Sequence, residues 1–412
     1  MTPGMKGFLL LSVIKMVVVF TVIMVGVALL TLMERKVSAW MQNRRGPNRV
    51  GWAGLLQPAA DGVKNILKEE TFPALANRWL FILAPAMSFV PALLLSGVIP
   101  FAAPLPVSFD FTLGPLGRFV HHGPVAMVVA DLPIGFLFVL AISSLGVYGI
   151  ALAGWSSNSK YALLGGLRAS AQMVSYEVAM GLSLIPVLLM AGNASFSAII
   201  AEQQAGLWYV LPLFLSFFIF LISGFAETNR LPFDLPEAES ELIAGYHTEY
   251  SAMKFSFFFI AEYANVVTVC MMVTTLFFGG WDIPGQWDQS GGVLQTIATG
   301  GIFFLKVMFW IFVVMWIRWT LPRFRYDQLM ALGWKVLMPL ALAYIMVICV
   351  AIYVIEHLAG ITNPRLAALA LFGLNLVIAV LVFGLLDSGV FVRGSPRPQT
   401  FKARATRATV TG

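Results

Sequence analysis

Long apolar stretches recur along the chain and dominate its pattern of hydrophobic and polar residues. An α-helix rises about 1.5 Å per residue, so a helix that crosses a hydrocarbon layer about 30 Å thick needs roughly 20 apolar residues. Stretches close to this length predict nine membrane-spanning helices, over residues 8–33, 79–101, 124–153, 171–192, 207–226, 253–279, 296–320, 336–356 and 366–386. The predicted fold class is all-α: a polytopic integral membrane protein with an eight-helix core and an additional C-terminal transmembrane helix.

A shorter amphipathic stretch lies in the loop after the first predicted span, residues 34–78. Between residues 54 and 70, apolar side chains fall on one face of a helix, and Asp61, Lys64, Asn65 and Lys68 fall on the other. Such a helix lies in the plane of the membrane interface, where it could frame a lipid-level entrance for an apolar ligand. Asp61 also stands three residues before Lys64, so a simple ion pair on the helix surface is the alternative interpretation.

Composition and charge support the membrane assignment and orient the helices. Only 11% of the residues are charged and 59% are apolar, which leaves too few charges to cover the surface of a soluble protein. Most of the 26 Lys and Arg residues lie in alternate connections, and such residues concentrate on the cytoplasmic side of a membrane. This predicts a multi-pass protein of the cell inner (cytoplasmic) membrane, with its N-terminus outside and its C-terminus in the cytoplasm. The net charge of +6 follows from this topology and indicates no nucleic-acid partner.

The same pattern divides the chain into three parts. Residues 1–356 form the membrane core, which includes the amphipathic loop 34–78 and an acidic loop, residues 227–252. Residues 357–390 form the extra transmembrane helix, and residues 391–412 form a basic tail on the inner side.

The cysteines and histidines do not form a metal-binding pattern. Cys270 and Cys349 lie in separate apolar stretches, and none of the four histidines is spaced to share a metal on one helix face. A structural zinc or an iron–sulfur cluster takes about four such ligands. The sequence therefore predicts no metal site, no cofactor bound by this chain and no catalytic residue of its own.

Carboxylates inside the apolar stretches are the most informative polar residues. Asp131, Glu177 and Glu262 fall in the third, fourth and sixth predicted spans. An ionised carboxylate at membrane depth costs roughly 2.5–3.5 kcal/mol, so such residues should face the bundle interior, where they suit a proton relay. The alternative for each is a structural charge paired with a base. For Asp131 the two interpretations stay open, because Asp131-Leu132-Pro133 could simply bend a helix near its end.

A second group of acids lies in the acidic loop, residues 227–252, on the predicted inner side. Asp234, followed by Pro236, reads as the N-cap of a short helix, and capping explains two acids at most. The excess of acids in a connection of this kind therefore predicts a functional role. The group comprises Glu227, Asp234, Glu237, Glu239, Glu241 and Glu249.

Four segments together resemble one known family. The first is ERKVSAWMQNRRGPNRVGWAGLLQPAADGVKNILKEE (34–70), and the others cover residues 155–184, 227–263 and 321–342. They are similar to the signature segments of the H, or ND1-type, subunit of respiratory complex I, the proton-translocating NADH:quinone oxidoreductase. The resemblance runs from about residue 8 to residue 356, and the extra helix lies beyond it.

The resemblance implies a site and a set of partners. It implies a quinone chamber shaped by Glu34, Arg35, Arg44, Arg49, Asp61, Lys64, Arg323 and Arg325. It implies a proton relay through Glu177, Glu227, Asp234, Glu237, Glu239, Glu241, Glu249 and Glu262. Quinone would be the substrate, while FMN and iron–sulfur clusters would belong to partner subunits of complex I. Membrane lipid and the other membrane and peripheral subunits would be the contacts of this chain.

Two other functions fit parts of the pattern. The homologous membrane subunit of a membrane-bound hydrogenase shares the implied fold, but the match over residues 44–51 and 227–249 favours the quinone enzyme. A stand-alone ion transporter is the second alternative. It would be expected to show an inverted repeat and discontinuous mid-membrane helices, and neither is evident in the sequence.

Overall fold

The computed structural model describes residues 3–113, 117–236, 243–283, 292–360 and 363–387. Most of these residues are helical, and the bounds of the helices differ from the predicted spans chiefly at their ends. The helices are α1 (Pro3–Met41), α2 (Gln57–Leu67), α3 (Arg78–Leu95), α4 (Gly135–Ser156), α5 (Lys160–Ala191), α6 (Phe196–Ala205), α7 (Phe214–Glu227), α8 (Ala252–Phe277), α9 (Val293–Thr320), α10 (Tyr326–Tyr353, with a π-helical turn at Leu332–Leu337) and α11 (Pro364–Asp387).

The described residues confirm the predicted membrane fold. Eight helices are long and apolar enough to cross a membrane: α1, α3, α4, α5, α8, α9, α10 and α11. The fifth predicted span is shorter than expected, because α7 begins only at Phe214 and has 14 residues. At about 1.5 Å per residue it is roughly 21 Å long, less than the thickness of the hydrocarbon layer. Residues 209–213, which the apolar pattern assigned to this span, form turns that end at Pro212 and Leu213.

Two antiparallel hairpins cover one end of the bundle, and the apolar pattern did not predict them. Strands β1 (Ala102–Pro106) and β4 (Pro124–Met127) pair, as do β2 (Phe109–Leu113) and β3 (Gly117–His121). The third predicted span, 124–153, was therefore wrong in its first part. Pro124 and Pro133 disfavour a helix through this segment, and three valines between them favour a strand. We call this end of the bundle, residues 102–127, the hairpin face.

Asp131 consequently lies outside the helix that was expected to contain it. It precedes Gly135, the first residue of α4, and its Oδ1 accepts a hydrogen bond of 3.2 Å from the Ser195 hydroxyl. Neither the intramembrane relay nor the bent helix describes this residue, because it lies in a connection near the hairpin face.

The opposite end of the bundle carries the long loops, and hydrogen bonds connect them. The Thr71 amide donates to the Ser251 hydroxyl at 3.1 Å, and the Phe324 amide donates to the Pro232 carbonyl at 3.2 Å. These bonds bring residues 42–77, 228–251 and 321–325 together on what we call the loop face.

Lys306, a charge within the seventh predicted span, is satisfied by backbone carbonyls. It lies in α9, and its ammonium donates to the carbonyls of Phe278, Gly280 and Asp282 at 2.7 to 3.0 Å. These carbonyls follow the end of α8, where a helix leaves acceptors unpaired. The lysine therefore joins α8 to α9 near the membrane edge, and the seventh span remains a membrane helix.

The C-terminal helix α11 is fastened to the bundle by one buried amide. Asn375 is fully buried, its Nδ2 donates to the Pro212 carbonyl at 2.6 Å, and its Oδ1 accepts a bond of 2.6 Å from the Tyr344 hydroxyl. Since Pro212 precedes α7 and Tyr344 lies in α10, α11 is packed as part of the helical core.

We expect Asn375→Leu to lower the stability of the folded protein by about 1–2 kcal/mol, because the Tyr344 hydroxyl and the Pro212 carbonyl lose their partner inside the membrane. The thermal midpoint of the detergent-purified protein measures this loss. Leu376→Ala, on the exposed side of the same helix, is the matched control and should leave the midpoint nearly unchanged. Equal midpoints for the two variants would contradict the assignment.

Candidate functional site: a charged cavity at the loop face

A cavity of about 1150 Å³ lies at the loop face between α1, α8 and α9. Polar groups come mainly from α1, α9 and the loop after α7, while α8 adds an aromatic wall. Its lining consists of Glu34, Arg35, Ser38, Arg44, Pro47, Asn229, Arg230, Leu231, Asp234, Ala244, Tyr246, His247, Phe255, Phe258, Phe259, Glu262, Tyr263, Arg318, Trp319 and Arg323. The cavity therefore combines an apolar surface with charges of both signs.

A buried charge cluster forms one wall of this cavity around the Glu34 carboxylate. Only 7% of that side chain is exposed. Its Oε2 accepts from the Arg230 guanidinium at 3.0 Å and from the Tyr263 hydroxyl at 2.5 Å, and its Oε1 accepts from Arg318. We call Glu34, Arg230, Glu262, Tyr263 and Arg318 the Glu34 cluster. It joins α1, α8 and α9 to the loop after α7.

Arg230 is the link between two carboxylates of the Glu34 cluster. Its Nε lies 2.7 Å from Glu262 Oε1, an ion pair by distance in which the N–H is not aligned with the oxygen. Its guanidinium carbon also lies 4.0 Å above the centre of the Tyr263 ring, a cation–π contact. Burial alone would lower the pKa of this guanidinium, but Glu262 and Glu34 more than compensate and raise it. Arg230 is therefore a permanent positive charge.

The loop that carries Arg230 is held by a fully buried amide of α5. The Gln172 Nε2 lies within hydrogen-bond distance of the Ala226 carbonyl, the Asn229 side chain and the Phe233 carbonyl, at 2.8 to 3.1 Å. A single side chain thus fixes the backbone on both sides of Arg230.

A close backbone approach positions the next part of the wall. A Cβ atom added at Gly165 of α5 would lie 2.6 Å from the Gly245 Cα, so only glycine fits there. The short 3₁₀ helix Gly245–His247 can therefore rest directly on α5, which brings Tyr246 and His247 to the cavity.

Two groups on the loop face have titration properties set by burial. Burial raises the pKa of the Asp234 carboxyl, although Arg323, whose guanidinium donates to it at 3.1 Å, opposes the shift. Burial lowers the pKa of His247 to about 4, so this imidazole is neutral at pH 7. The cavity wall thus contains a neutral imidazole and a carboxyl group that holds a proton more tightly than usual.

A small cavity of about 30 Å³ continues from the large one toward the bundle interior. Four residues line both cavities: Asn229, Tyr246, Phe258 and Glu262. The far wall of the small cavity includes Glu227, whose Oε2 is buried and has no hydrogen-bond partner among the described residues. The carboxylates of Glu262 and Glu227 therefore face one narrow polar space.

Glu177 lies one step further along the same line. The Ser143 hydroxyl donates to Glu177 Oε1 at 3.4 Å, and it also contacts Glu227, whose charge interacts with that of Glu177. The order from the loop face inward is therefore Glu262, Glu227 and Glu177.

The residues expected to shape a quinone chamber divide into two groups. Glu34, Arg35, Arg44 and Arg323 line the large cavity. Asp61 and Lys64 lie on α2, Arg49 lies in the preceding loop and Arg325 precedes α10, and within the described residues these four are not part of the cavity lining. Asp61 pairs with Arg35 at 2.7 Å, so its contact is between helices and not with Lys64 on its own helix.

The residues expected to form a proton relay are also divided. Glu177, Glu227, Asp234 and Glu262 have the positions just described, and Glu249 is half-buried beside the Gly245–His247 turn. Glu237, Glu239 and Glu241 lie outside the described residues. Glu262 was expected to be isolated, because no base neighbours it along α8. The expectation was wrong, since the fold brings Arg230 to it from a different element.

The sequence pattern assigned no site role to Arg230, Arg318, Tyr263 or His247. Arg230 carried a weak signal, as one of the few bases within the acidic loop. The other three carried none, because their importance comes from contacts between elements far apart in the chain. In the described part of the chain, no three His, Cys, Asp or Glu residues are grouped so that they could hold a metal ion.

The fold and the site define a multi-pass membrane protein with a large charged cavity at one membrane face and a line of carboxylates leading inward from it. A profile of the family described as NADH dehydrogenase matches residues 14–349. The second H-type subunit of the NADH-quinone oxidoreductases of Koribacter versatilis is 53% identical over 346 residues, which cover 82% of this chain and 96% of that protein. NADH-ubiquinone oxidoreductase chain 1 of Chondrus crispus is 51% identical over 341 residues, which cover 83% of this chain and 96% of that protein.

The chain belongs to the H-type, or ND1, family of NADH-quinone oxidoreductase subunits, which are components of respiratory complex I. It is thus a membrane subunit of that enzyme complex. The predicted resemblance is confirmed, and α11 lies beyond the segment that the family shares.

The Glu34 cluster generates a stability prediction. Glu34→Gln should destabilise the protein by about 3 kcal/mol, because Arg230 and Arg318 keep their buried charges and lose a shared carboxylate. The amount of this chain retained in purified complex and the thermal midpoint of that complex are the measurements. The exposed Glu69, at the end of the amphipathic loop, is the matched control: Glu69→Gln should change stability by no more than about 0.5 kcal/mol. A Glu34→Gln complex as stable as the Glu69→Gln complex would show that the cluster does not hold the elements together.

Proposed function

We propose that this chain forms the quinone-access chamber of NADH-quinone oxidoreductase and couples quinone reduction to proton translocation through a chain of carboxylates. The observation that carries the proposal is the cavity of about 1150 Å³ whose wall contains both the Glu34 cluster and Glu262, the first carboxylate of the inward line. A mixed apolar and charged lining suits a quinone, which has an apolar ring and tail and two polar carbonyl oxygens.

The aromatic residues of α8 and the charged residues of the other elements divide the work of binding. Phe255, Phe258 and Phe259 offer ring faces to an apolar ring or tail. His247, neutral at pH 7, can donate one hydrogen bond to a carbonyl oxygen, and Arg323 can place a positive charge near it. These groups would orient the substrate.

The amphipathic helix α2 supports a lipid-level entrance to the chamber. Its apolar residues Val63, Ile66 and Leu67 are exposed, which suits a helix embedded in the membrane interface. The Arg35–Asp61 ion pair connects this helix to a residue of the cavity wall. A quinone moving out of the lipid would therefore pass between α2 and α1.

Reduction of a quinone to a quinol takes two electrons and two protons. The electrons would come from FMN through iron–sulfur clusters, all held by partner subunits, with the terminal cluster in a peripheral subunit docked on the loop face. This chain would supply the binding site and respond to the change in charge. A negative charge formed on the quinone would attract protons toward the cavity, and Glu262, Glu227 and Glu177 would pass that response inward. Glu237, Glu239, Glu241 and Glu249 remain proposed members of the same group.

The named relatives favour quinone chemistry over the alternatives. Both relatives described above are named as quinone or ubiquinone oxidoreductases. No observation favours the hydrogenase subunit or the stand-alone transporter.

The relay predicts that a neutral replacement uncouples the enzyme without dismantling it. Glu177→Gln keeps the shape and hydrogen bonding of the side chain but removes the titratable proton. It is a cleaner test than Glu262→Gln, because Glu177 is held by Ser143 whereas Glu262 also loses an ion pair. We expect both variants to assemble and to oxidise NADH with a hydrophilic artificial acceptor.

Quinone reductase activity and vesicle acidification should each fall by more than half in both variants, while Glu69→Gln should retain both. The two rates are measured in the same sealed vesicles. Full quinone reduction together with full pumping in Glu177→Gln and Glu262→Gln would exclude the relay and leave these residues as buried structural groups.

We further propose that the loop face is cytoplasmic and that the N-terminus is outside, as the distribution of Lys and Arg predicts. In a Cys349→Ser background, a membrane-impermeant maleimide should label Thr112→Cys, on the exposed part of β2, in right-side-out vesicles. It should label Arg44→Cys, on the loop face, in inverted vesicles. Labelling of Thr112→Cys from the cytoplasmic side alone would reverse the proposed orientation.

A further inference from the structure

A second cavity, of about 430 Å³, lies at the end of the bundle that carries the hairpin face. It is bounded by the last turn of α5, the end of α6, the end of α10 and the first two turns of α11. Leu189, Ile352 and Leu371 represent its predominantly apolar lining.

This cavity depends on the C-terminal extension of the chain. The family profile ends at residue 349, whereas Ile352, Ile355 and the lining residues of α11 lie beyond it. The amide of Asn375 holds α11 against the bundle, so the cavity has a fixed wall on that side. The site is therefore separate from the proposed quinone chamber and does not rest on that proposal.

Two polar residues stand in the otherwise apolar lining. Glu202 is exposed at the end of α6, and Tyr209 is only 4% exposed. The Glu202 charge acts on the Tyr209 hydroxyl, so the two groups lie near each other. None of the hydrogen bonds found among the described residues involves that hydroxyl, although the Tyr209 amide is bonded to Gln203. A buried hydroxyl next to a carboxylate is the kind of group that a polar ligand would complete.

We propose that this cavity binds one molecule of an aminophospholipid, with an acyl chain along the apolar wall and the primary ammonium against Glu202. The geometry of the lining suits an amphiphile, because the polar pair lies at one edge of an apolar space near the ends of four membrane helices. The carboxylate selects a positive group, and a primary ammonium can donate hydrogen bonds to it. The Tyr209 hydroxyl is placed to donate to an ester or phosphate oxygen of the same molecule. Lipid is also the solvent of this surface, so the ligand is present at high concentration.

Photo-cross-linking in the intact complex tests the proposal at the level of peptides. The complex is reconstituted in vesicles of phosphatidylglycerol containing a minor fraction of phosphatidylethanolamine with a diazirine on one acyl chain, and cross-linked peptides are identified by mass spectrometry. Cross-links are expected in residues 186–210 and 350–372. Glu202→Gln should reduce these cross-links about tenfold, since one charge-assisted hydrogen bond is worth about 1.5 kcal/mol. The same diazirine on phosphatidylglycerol should label these peptides weakly in every variant.

Two further variants separate the cavity from the helix that forms it. Ala367→Leu places additional atoms in the cavity and should abolish the cross-links, whereas Ala370→Leu, on the exposed side of α11, should preserve them. Equal labelling by the two lipids, or labelling that is unchanged in both Glu202→Gln and Ala367→Leu, would overturn the proposal. Quinone recovered from this site in place of lipid would overturn it as well.

Discussion

The arrangement of the loop face depends on the buried ion pair between Glu34 and Arg230. A charged group removed from water is costly, and it is tolerated only when partners compensate for its lost hydration. Here each charge has more than one partner: Arg230 and Arg318 approach Glu34, and Arg230 also approaches Glu262. Because the partners come from α1, α8, α9 and the loop after α7, compensation requires all four elements to be in place. The same requirement leaves a polar wall exposed to the cavity.

That wall gives the proposed chamber a physical connection to the interior. Arg230 lies between Glu34, on the chamber side, and Glu262, which also lines the small cavity leading to Glu227. A change of charge in the large cavity would therefore alter the balance around Arg230 and reach Glu262 without a long conformational path. Fixed charges act strongly in such a site because little water screens them.

The parts of the structure that follow from local pattern could be predicted from the sequence, and the parts that follow from long-range contact could not. Apolar length predicted the spans, including α11, because burying about 20 apolar residues in lipid dominates the local energetics. The hairpin face was missed because Val125, Val128 and Val129 are as apolar as a membrane helix. Glu34 and Glu262 were identified as candidates from their chemistry. Their partners Arg230 and Arg318 were not, since 196 and 284 residues separate these from Glu34 along the chain.

The decisive measurement for the proposed chamber is a density map of the intact complex with a quinone-site inhibitor bound. Ligand density is expected in the cavity between α1, α8 and the loop after α7, in contact with the phenylalanines of α8 and within reach of His247 or Arg323. The Glu34 cluster should be intact beside it. Inhibitor density at another surface, with partner side chains filling this cavity, would show that the chamber lies elsewhere.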